Sequence, residues 1–339
     1  MVSQAKIGTL EQRAARPSRI ALLLAFFAIY VVWGSTYLAI RYAVESIPPL
    51  VVAGVRHSTA GLALFFWAYA RGYRPTLREW RASLVLGTLY FAIGHGSLHW
   101  AETIVPSGMA ALLVATEPIW IALMAASISR EEKLTGTTLL GLLLGIAGVA
   151  LLMRAGTTGS HGRLIVGSIA VLIGALSWAV GVIYSRSSAL PRDPVARAGM
   201  AALSGAVLLL LASGATGEVS EAYFHACSAR SLGALVYLIV FGSIVAFTAY
   251  TWLLDHCSPT LVSTHTYANP IIAVLLGWGW AGEVLDRHVL GAAGLTLVSV
   301  FLINRGTGKG REEELEQAQA AEFGDHRSVS ESDPEAGPY

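Results

Sequence analysis

The sequence is poor in charge. Asp, Glu, Lys and Arg make up 13% of its 339 residues, and 54% are hydrophobic, whereas a soluble domain carries about 25% charged residues. A soluble fold is therefore excluded. The remaining charged residues lie between long apolar runs, which is typical of a polytopic membrane protein. The formal net charge of +1 gives no reason to expect a nucleic-acid partner.

Cysteine is also scarce. Only Cys227 and Cys257 are present, and their spacing matches neither a disulfide framework nor a zinc site. We expect no cofactor. We expect no cleaved signal peptide, because the apolar run from Ile20 to Ile40 is too long for the apolar core of such a peptide and lacks a convincing small-residue cleavage site. We predict that this run is a retained first span.

Apolar runs long enough to cross a bilayer recur along the chain, since a spanning helix takes about 20 residues. They predict an all-α integral membrane protein with ten transmembrane helices. The predicted spans are residues 20–40, 50–71, 82–101, 107–129, 135–153, 165–185, 197–214, 231–254, 259–281 and 287–304.

The Lys and Arg residues predict how these spans are oriented, because cytoplasmic loops carry an excess of them. With a cytoplasmic N-terminus, 17 of the 23 fall on the inner side, 5 on the outer side, and Arg56 lies within a span. Both termini are therefore predicted to be cytoplasmic. The last residues are polar and poor in large apolar side chains, so they predict a disordered tail.

The chain contains an internal repeat. A shift of 145 residues places Trp33 on Trp178, and a shift of 152 places Pro118 on Pro270. Each half holds five predicted spans, and because five is odd the second half enters the membrane from the opposite side. The repeat is thus inverted, as in alternating-access transporters. The predicted segments are an N-terminal segment 1–19, a first repeat 20–154, a second repeat 165–304 and a cytoplasmic tail 305–339.

Glu117-Pro118 and Asn269-Pro270 occupy equivalent positions in spans four and nine. Proline lacks an N–H, so each pair predicts a helix break, which is tolerated only where protein or a water-filled cavity covers it. Paired breaks are typical of a transporter's binding site. Glu117 is either a protonatable or cation-pairing group of the cavity, or a structural carboxylate kept neutral by burial. Asn269 supplies an uncharged hydrogen-bonding group at the same depth.

Three stretches carry a family resemblance: YVVWGSTYLAIRYAVESIPPLVVAGVR in the first two spans, VPSGMAALLVATEPIW in the fourth and TYANPIIAVLLGWGWAGE in the ninth. They resemble the EamA-type exporters of the drug/metabolite transporter (DMT) superfamily, and among these the YedA-like bacterial inner-membrane proteins. The resemblance covers about residues 20–304. It implies ten helices in two inverted halves, a central cavity lined mainly by spans 1, 3, 4, 6, 8 and 9, and export of small metabolites or drugs. His95 and His265 depart from the pattern, where we expect Asn and a small residue.

His95 and His99 lie four residues apart in span three, with Glu102 three residues further on, so the three share one helical face. This spacing is compatible with a divalent metal site. It is equally compatible with substrate binding or a proton relay, and with hydrogen bonding between helices alone. Glu102 is expected at the outer surface.

Aromatic residues supply the rest of the predicted cavity. Trp33 and its repeat mate Trp178 lie deep in their spans, so we favour a cavity role over an interfacial anchor. Aromatic walls with few charges suit amphipathic or aromatic substrates, including cations held by cation–π attraction. The predicted substrate-binding residues are Trp33, Tyr37, His95, His99, Glu117, Trp120, Trp178, His265, Tyr267 and Asn269.

The predicted function is secondary transport across a bacterial inner membrane: export of amino acids, related amphipathic metabolites or drugs by alternating access. The proton is the candidate coupling ion. The alternatives are an uncoupled facilitator and a carrier of nucleotide sugars or phosphate esters, but the latter needs several Lys or Arg within the spans, where only Arg56 lies. A hydrolase needs a nucleophile beside a base, and Ser97 and His95 do not face each other on a helix. We expect no enzymatic activity.

Overall fold

The computed structural model describes residues 17–124, 135–155, 161–219, 227–257, 262 and 264–306. Within these residues the regular structure is helical and no strand is formed, which agrees with the all-α prediction. Most of the predicted N-terminal segment and nearly all of the predicted tail lie outside the described residues.

The helices are numbered in chain order. In the first half, α1 is Arg19–Ala43, α2 is Pro49–Ala70, α3 runs through the consecutive stretches Leu77–Gly87, Thr88–His95 and Gly96–Ala101, α4 is Ser107–Met124 and α5 is Gly136–Ala155. In the second half, α6 is His161–Ser187, α7 is Pro194–Ala215, α8 runs through Ala229–Tyr237, Leu238–Val245 and Ala246–His256, α9 is His265–Ala281 and α10 is Arg287–Gly306.

Several helices begin where the sequence provides a cap. Asp193 caps α7, its Oδ1 accepting hydrogen bonds from the N–H groups of Val195 at 2.8 Å and Ala196 at 3.0 Å. Thr76 and Glu79 form a reciprocal capping box at the start of α3. These side chains satisfy N–H groups that the first helical turn leaves free, and so fix where the helices begin.

Seven helical segments of the described chain are long and apolar enough to cross a membrane. They are Arg19–Ala43, Pro49–Ala70, Ser107–Met124, Gly162–Ser187, Pro194–Ala215, Ala229–Tyr250 and Arg287–Gly306. Helices α3, α5 and α9 do not reach this threshold. Three of the first 11 residues of α3 are charged: Arg78, Glu79 and Arg81. Helix α9 is too short, with 17 residues. The prediction of ten spans is thus matched for seven of them.

Three helices contain π-helical stretches, which sequence analysis did not anticipate. They are Ala28–Val32 in α1, Thr88–His95 in α3 and Leu238–Val245 in α8. A π-helical turn accommodates an extra residue and is frequent at functional sites. The stretches in α3 and α8 start 150 residues apart and therefore occupy equivalent places in the two halves.

The two halves pack together most closely along α2 and α7. A Cβ on Gly61 of α2 would lie 2.9 Å from the Leu203 nitrogen, and one on Gly199 of α7 would lie 2.6 Å from the Phe65 nitrogen. The absence of side chains at these glycines lets the two backbones approach. Helix α1 packs on α8 and α9, and α3 packs on α6 and α7. Both halves thus surround one central space.

The two proline pairs shape their helices differently. Helix α4 is interrupted by a turn at residues 115–116 and resumes at Glu117, as predicted. Helix α9 runs without interruption from His265 through Pro270 to Ala281, so the predicted break at Asn269-Pro270 is wrong. Pro270 has no N–H and so removes one i→i−4 hydrogen bond from α9, but the helix continues through it. The helix tolerates that single loss.

Candidate functional site

A cavity of about 600 Å³ lies between the two halves. Its lining extends from Ile40 and Leu98 to Arg186 and Asn304, near the ends of α6 and α10. All six helices expected to line it, α1, α3, α4, α6, α8 and α9, contribute, and so do α2, α7 and α10. A mostly apolar cleft of this size suits a small organic molecule.

One wall of the cavity is built around Trp33. Its ring centroid lies 5.2 Å from that of Tyr250, 5.3 Å from that of His265 and 6.3 Å from that of Phe247. The indole Nε1 donates a hydrogen bond of 2.9 Å to the carbonyl oxygen of Gly242, in the π-helical stretch of α8. This bond fixes the indole orientation and leaves the ring as a rigid apolar surface.

A second wall is built around Trp178, the repeat mate of Trp33. Its ring stacks on Tyr90 with a centroid separation of 4.1 Å and on His95 with one of 5.4 Å, and Phe91 meets it edge to face at 6.3 Å. All three partners belong to the π-helical stretch of α3. The two tryptophans therefore each meet a π-helical stretch of the opposite half, and both line the cavity.

Glu117 is the carboxylate that the cavity lining includes. It is the first residue of the second part of α4, directly after the turn that interrupts the helix. Water in the cavity favours the ionised carboxylate, whereas the apolar lining favours the protonated form. Glu117 is thus placed where access of water decides between the two forms.

Asn269 lines the cavity and also joins two helices. With its amide nitrogen assigned to face acceptors, it donates to the carbonyl oxygens of Ile29 at 3.0 Å, Tyr30 at 3.1 Å and His265 at 3.1 Å. The first two belong to the π-helical stretch of α1. The amide therefore satisfies carbonyl groups that the irregular helix presents, and holds α9 against α1.

Three imidazoles form a cluster beside the cavity. His57 Nε2 and His95 Nδ1 share a hydrogen bond of 2.7 Å, and His99 Nδ1 donates one of 2.7 Å to the His95 carbonyl oxygen. His57 and His95 line the cavity. His99 is fully buried and does not, and its Nε2 has no partner within the described chain. The sequence grouped His95 and His99 correctly but missed His57.

Glu102 was expected at the outer surface, and this expectation is wrong. Its side chain is fully buried, and neither carboxylate oxygen has a hydrogen-bond partner among the described residues. Arg41 Nη1 donates a hydrogen bond of 2.5 Å to the Glu102 carbonyl oxygen and so ties this turn to α1. No group of three or more His, Cys, Asp or Glu side chains in the described chain is placed to hold a metal ion.

Seven of the ten predicted substrate-binding residues line the cavity: Trp33, Tyr37, His95, Glu117, Trp178, His265 and Asn269. His99, Trp120 and Tyr267 do not. The Tyr267 hydroxyl donates to the Val300 carbonyl oxygen at 3.0 Å and accepts from Asn304 Nδ2 at 2.6 Å. The Trp120 Nε1 is buried with no partner in the described part of the chain. These side chains contribute to helix packing.

The sequence analysis missed lining residues on α2 and α8, chiefly Arg56, His57 and Ser243. The sequence contains a signal for two of these residues, Arg56 and His57. A cation and a histidine stand side by side within a predicted span, where ionisable residues are costly and are functional candidates by default. Arg186, counted as a cytoplasmic residue, also lines the cavity.

Hydrogen bonds join the two halves just beyond the Ile40 end of the cavity lining, which we call the closed end. Glu283, in the loop after α9, accepts from the Ser107 N–H at 2.6 Å, the Ser107 hydroxyl at 2.7 Å and the Gly108 N–H at 3.0 Å. These groups form the N-terminus of α4, which has no cap of its own. Beside it, the Ser231 hydroxyl donates to the Tyr42 carbonyl oxygen at 2.7 Å.

Known proteins are similar to this chain over most of its length. The model of the EamA-like transporter family matches the chain twice, over residues 19–154 and 165–305. The chain is 37% identical over 290 residues to the uncharacterized inner membrane transporter YedA of Escherichia coli strain K12, covering 85% of this chain and 92% of that protein. It is 28% identical over 289 residues to the uncharacterized transporter YvbV of Bacillus subtilis strain 168, with the same coverage of each chain.

A more distant relative and one solved structure extend the comparison. The chain is 26% identical over 279 residues to a chloroplastic WAT1-related protein of Arabidopsis thaliana, covering 80% of this chain and 66% of that protein. A crystal structure superposes with a TM-score of 0.59 at 23% identity, covering 88% of this chain and all of that one. At that identity the superposition shows a shared fold and nothing about a shared substrate.

Proposed function

The chain belongs to the EamA-like transporter family, and from that premise we propose that it is a secondary transporter of a bacterial inner membrane that works by alternating access. Its proposed substrates are amino acids, related amphipathic metabolites or drugs, and the proposed direction is export. The observation that supports this most is the central cavity, which lies between the halves and has hydrogen bonds from one half to the other just beyond one end of its lining.

We propose ten spans in two inverted halves, with both termini cytoplasmic. The double match of the family model supports the two halves, and the paired π-helical stretches of α3 and α8 support their equivalence. The orientation rests on the excess of Lys and Arg in the segments assigned to the inner side. In this arrangement the closed end, with Glu283, faces outward, and the end near Arg186 and Asn304 faces the cytoplasm.

Coupling to protons is proposed at Glu117. Water reaching the cavity stabilises the ionised carboxylate, whereas exclusion of water makes the ionised form costly and favours uptake of a proton. If proton and substrate compete for this site, proton entry drives substrate exit. The cycle requires only a carboxylate in the cavity and access that alternates between the two sides.

The test compares two assays on one liposome preparation. Glu117→Gln should abolish transport driven by a proton gradient but preserve counterflow exchange of substrate, because exchange moves no net proton. Glu45→Gln, an exposed carboxylate outside the cavity, is the matched control. Equal loss in both assays would assign Glu117 to substrate binding or folding. No loss in either assay would leave Glu117 as a satisfied structural carboxylate that takes no part in coupling.

The other functions are less well supported. A phosphate-ester carrier would use several cations. The described lining includes two, Arg56 and Arg186, which is fewer than we expect for such a carrier. We favour transport over hydrolysis because the Ser97 hydroxyl donates to the Gly94 carbonyl oxygen at 3.0 Å and not to His95. A labelled-substrate screen in liposomes, with amino acids and cationic drugs in parallel, decides between substrate classes.

A further inference from the structure

Arg56 is a buried cation without a carboxylate partner. Its side chain is 4% exposed, yet it lines the cavity. Its Nε donates a hydrogen bond of 2.9 Å to the Ser243 hydroxyl oxygen. No Asp or Glu of the described chain approaches it within ion-pair distance. Glu102 interacts electrostatically with Arg56 only at a distance longer than an ion pair. A buried guanidinium without a counter-ion is costly, because removal from water is not compensated.

The hydrogen-bonding groups left around Arg56 are donors. With Nε engaged, the two terminal amino groups remain available, side by side on one edge of the guanidinium plane. The Ser243 oxygen accepts the bond from Arg56, so its own O–H is free to donate, and Ser243 also lines the cavity. Donors on these two neighbouring side chains match the two oxygens of a carboxylate.

The ring of Trp33 is anchored to the residue that precedes Ser243. Its Nε1 bonds to the carbonyl of Gly242, and Arg56 bonds to the adjacent residue, Ser243. A Cβ on Gly242 would lie 3.3 Å from Arg56 Nη2 and 2.8 Å from Thr36 Cγ2. Consecutive residues of one π-helical stretch therefore fix a guanidinium beside an aromatic wall.

We propose that Arg56 and Ser243 form an anion subsite of the cavity, which holds the carboxylate of a substrate whose aromatic or apolar body lies on Trp33. The proposal rests on the proposed transport function and narrows its substrate class to organic acids and zwitterions. A monoanionic carboxylate is favoured over a phosphate dianion, because the subsite supplies a single positive charge. Five titratable groups interact electrostatically with Arg56: the carboxyl group of Glu102, the phenol of Tyr37 and the imidazoles of His57, His95 and His99.

The test uses two probes with the same indole ring and opposite head groups, indole-3-propionate and tryptamine. Binding to the purified full chain is measured by calorimetry. Arg56→Gln should weaken indole-3-propionate binding about 10- to 100-fold, since a charge-assisted pair is lost, and leave tryptamine binding unchanged. Arg230→Gln, which removes an exposed arginine outside the cavity, should change neither.

Ser243→Ala is the second variant for this binding test, used if Arg56→Gln does not yield a monodisperse protein. It keeps the guanidinium and should weaken indole-3-propionate binding about 2- to 10-fold, as expected for loss of one neutral hydrogen bond. Equal weakening of both probes, no weakening of either, or a wild type that binds only tryptamine would overturn the subsite. Loss of indole-3-propionate binding in Arg186→Gln alone would also overturn it, by placing the anion elsewhere.

Different results would refute the anion subsite and the transport function. If liposomes containing the wild type take up tryptamine but no organic acid, the protein is a transporter and the subsite is wrong. If the purified chain binds indole-3-propionate through Arg56 but liposomes show no flux of either probe, the subsite stands and transport is wrong.

Discussion

Replacing Glu283 by glutamine tests what holds one end of the cavity closed. The carboxylate accepts three hydrogen bonds from Ser107 and Gly108 at the start of α4. A hydrogen bond to a charged group contributes about 1 kcal/mol more than a neutral one, so loss of the charge costs the closed state about 3 kcal/mol. Since 1.4 kcal/mol is a factor of ten, the ratio of open to closed molecules should rise about 100-fold.

Spin labels at Thr103 and Val284 report this opening. Both residues are exposed, and they lie on either side of the closed end, one before α4 and one after Glu283. The labels are introduced after replacement of the two native cysteines. Double electron–electron resonance should show one short distance in the otherwise unaltered chain and a second, longer distance in Glu283→Gln.

The matched control is Glu45→Gln. Glu45 pairs with Arg230 at 3.5 Å, and both side chains are well exposed, at 41% and 54%. Such a pair contributes at most about 1 kcal/mol, so the distance distribution should change little. If Glu283→Gln shifts the populations no more than Glu45→Gln does, apolar packing closes this end and the reasoning from the carboxylate is refuted.

Three further predictions concern topology and packing. Reporter fusions in the loops after Arg71 and Arg186 should both report the cytoplasm, and opposite sides would contradict the inverted repeat. Asn269→Leu should lower the melting temperature because carbonyl groups of α1 lose their donor; an unchanged value would remove this role from the amide. Gly87→Ala should cost about 1–3 kcal/mol, because its Cβ would lie 2.3 Å from a carbonyl oxygen of α7. Gly279→Ala, with nothing within 4 Å, should be tolerated, and thermal unfolding of both variants checks the difference.

Much of the architecture was predictable because a bilayer restricts it. Apolar length indicated the helices, and the offset between Trp33 and Trp178 indicated two equivalent walls. Glu117 was predictable for the same reason, since an ionisable group in hydrocarbon needs a function or a partner. These inferences depend only on chain length, periodicity and the cost of burying charge.

The remainder depends on which helices become neighbours, and the sequence does not state that. Tyr267 lies two residues from Asn269, hence on a nearly opposite face of α9, and it bonds to α10 instead of the cavity. His99 shares a face with His95, but one turn further along α3 that face is fully buried. Arg56 was undervalued because its place in the cavity comes from Ser243, 187 residues away.

The matching π-helical stretches of α3 and α8 carry a record of descent. A π-helical turn holds one residue more than an α-helical turn, so each stretch is the mark of an insertion. The same mark at the same place in both halves is what duplication of a single unit that already contained it would leave. The stretch in α1 has no counterpart in α6, which is α-helical throughout, so the two copies diverged there after duplication.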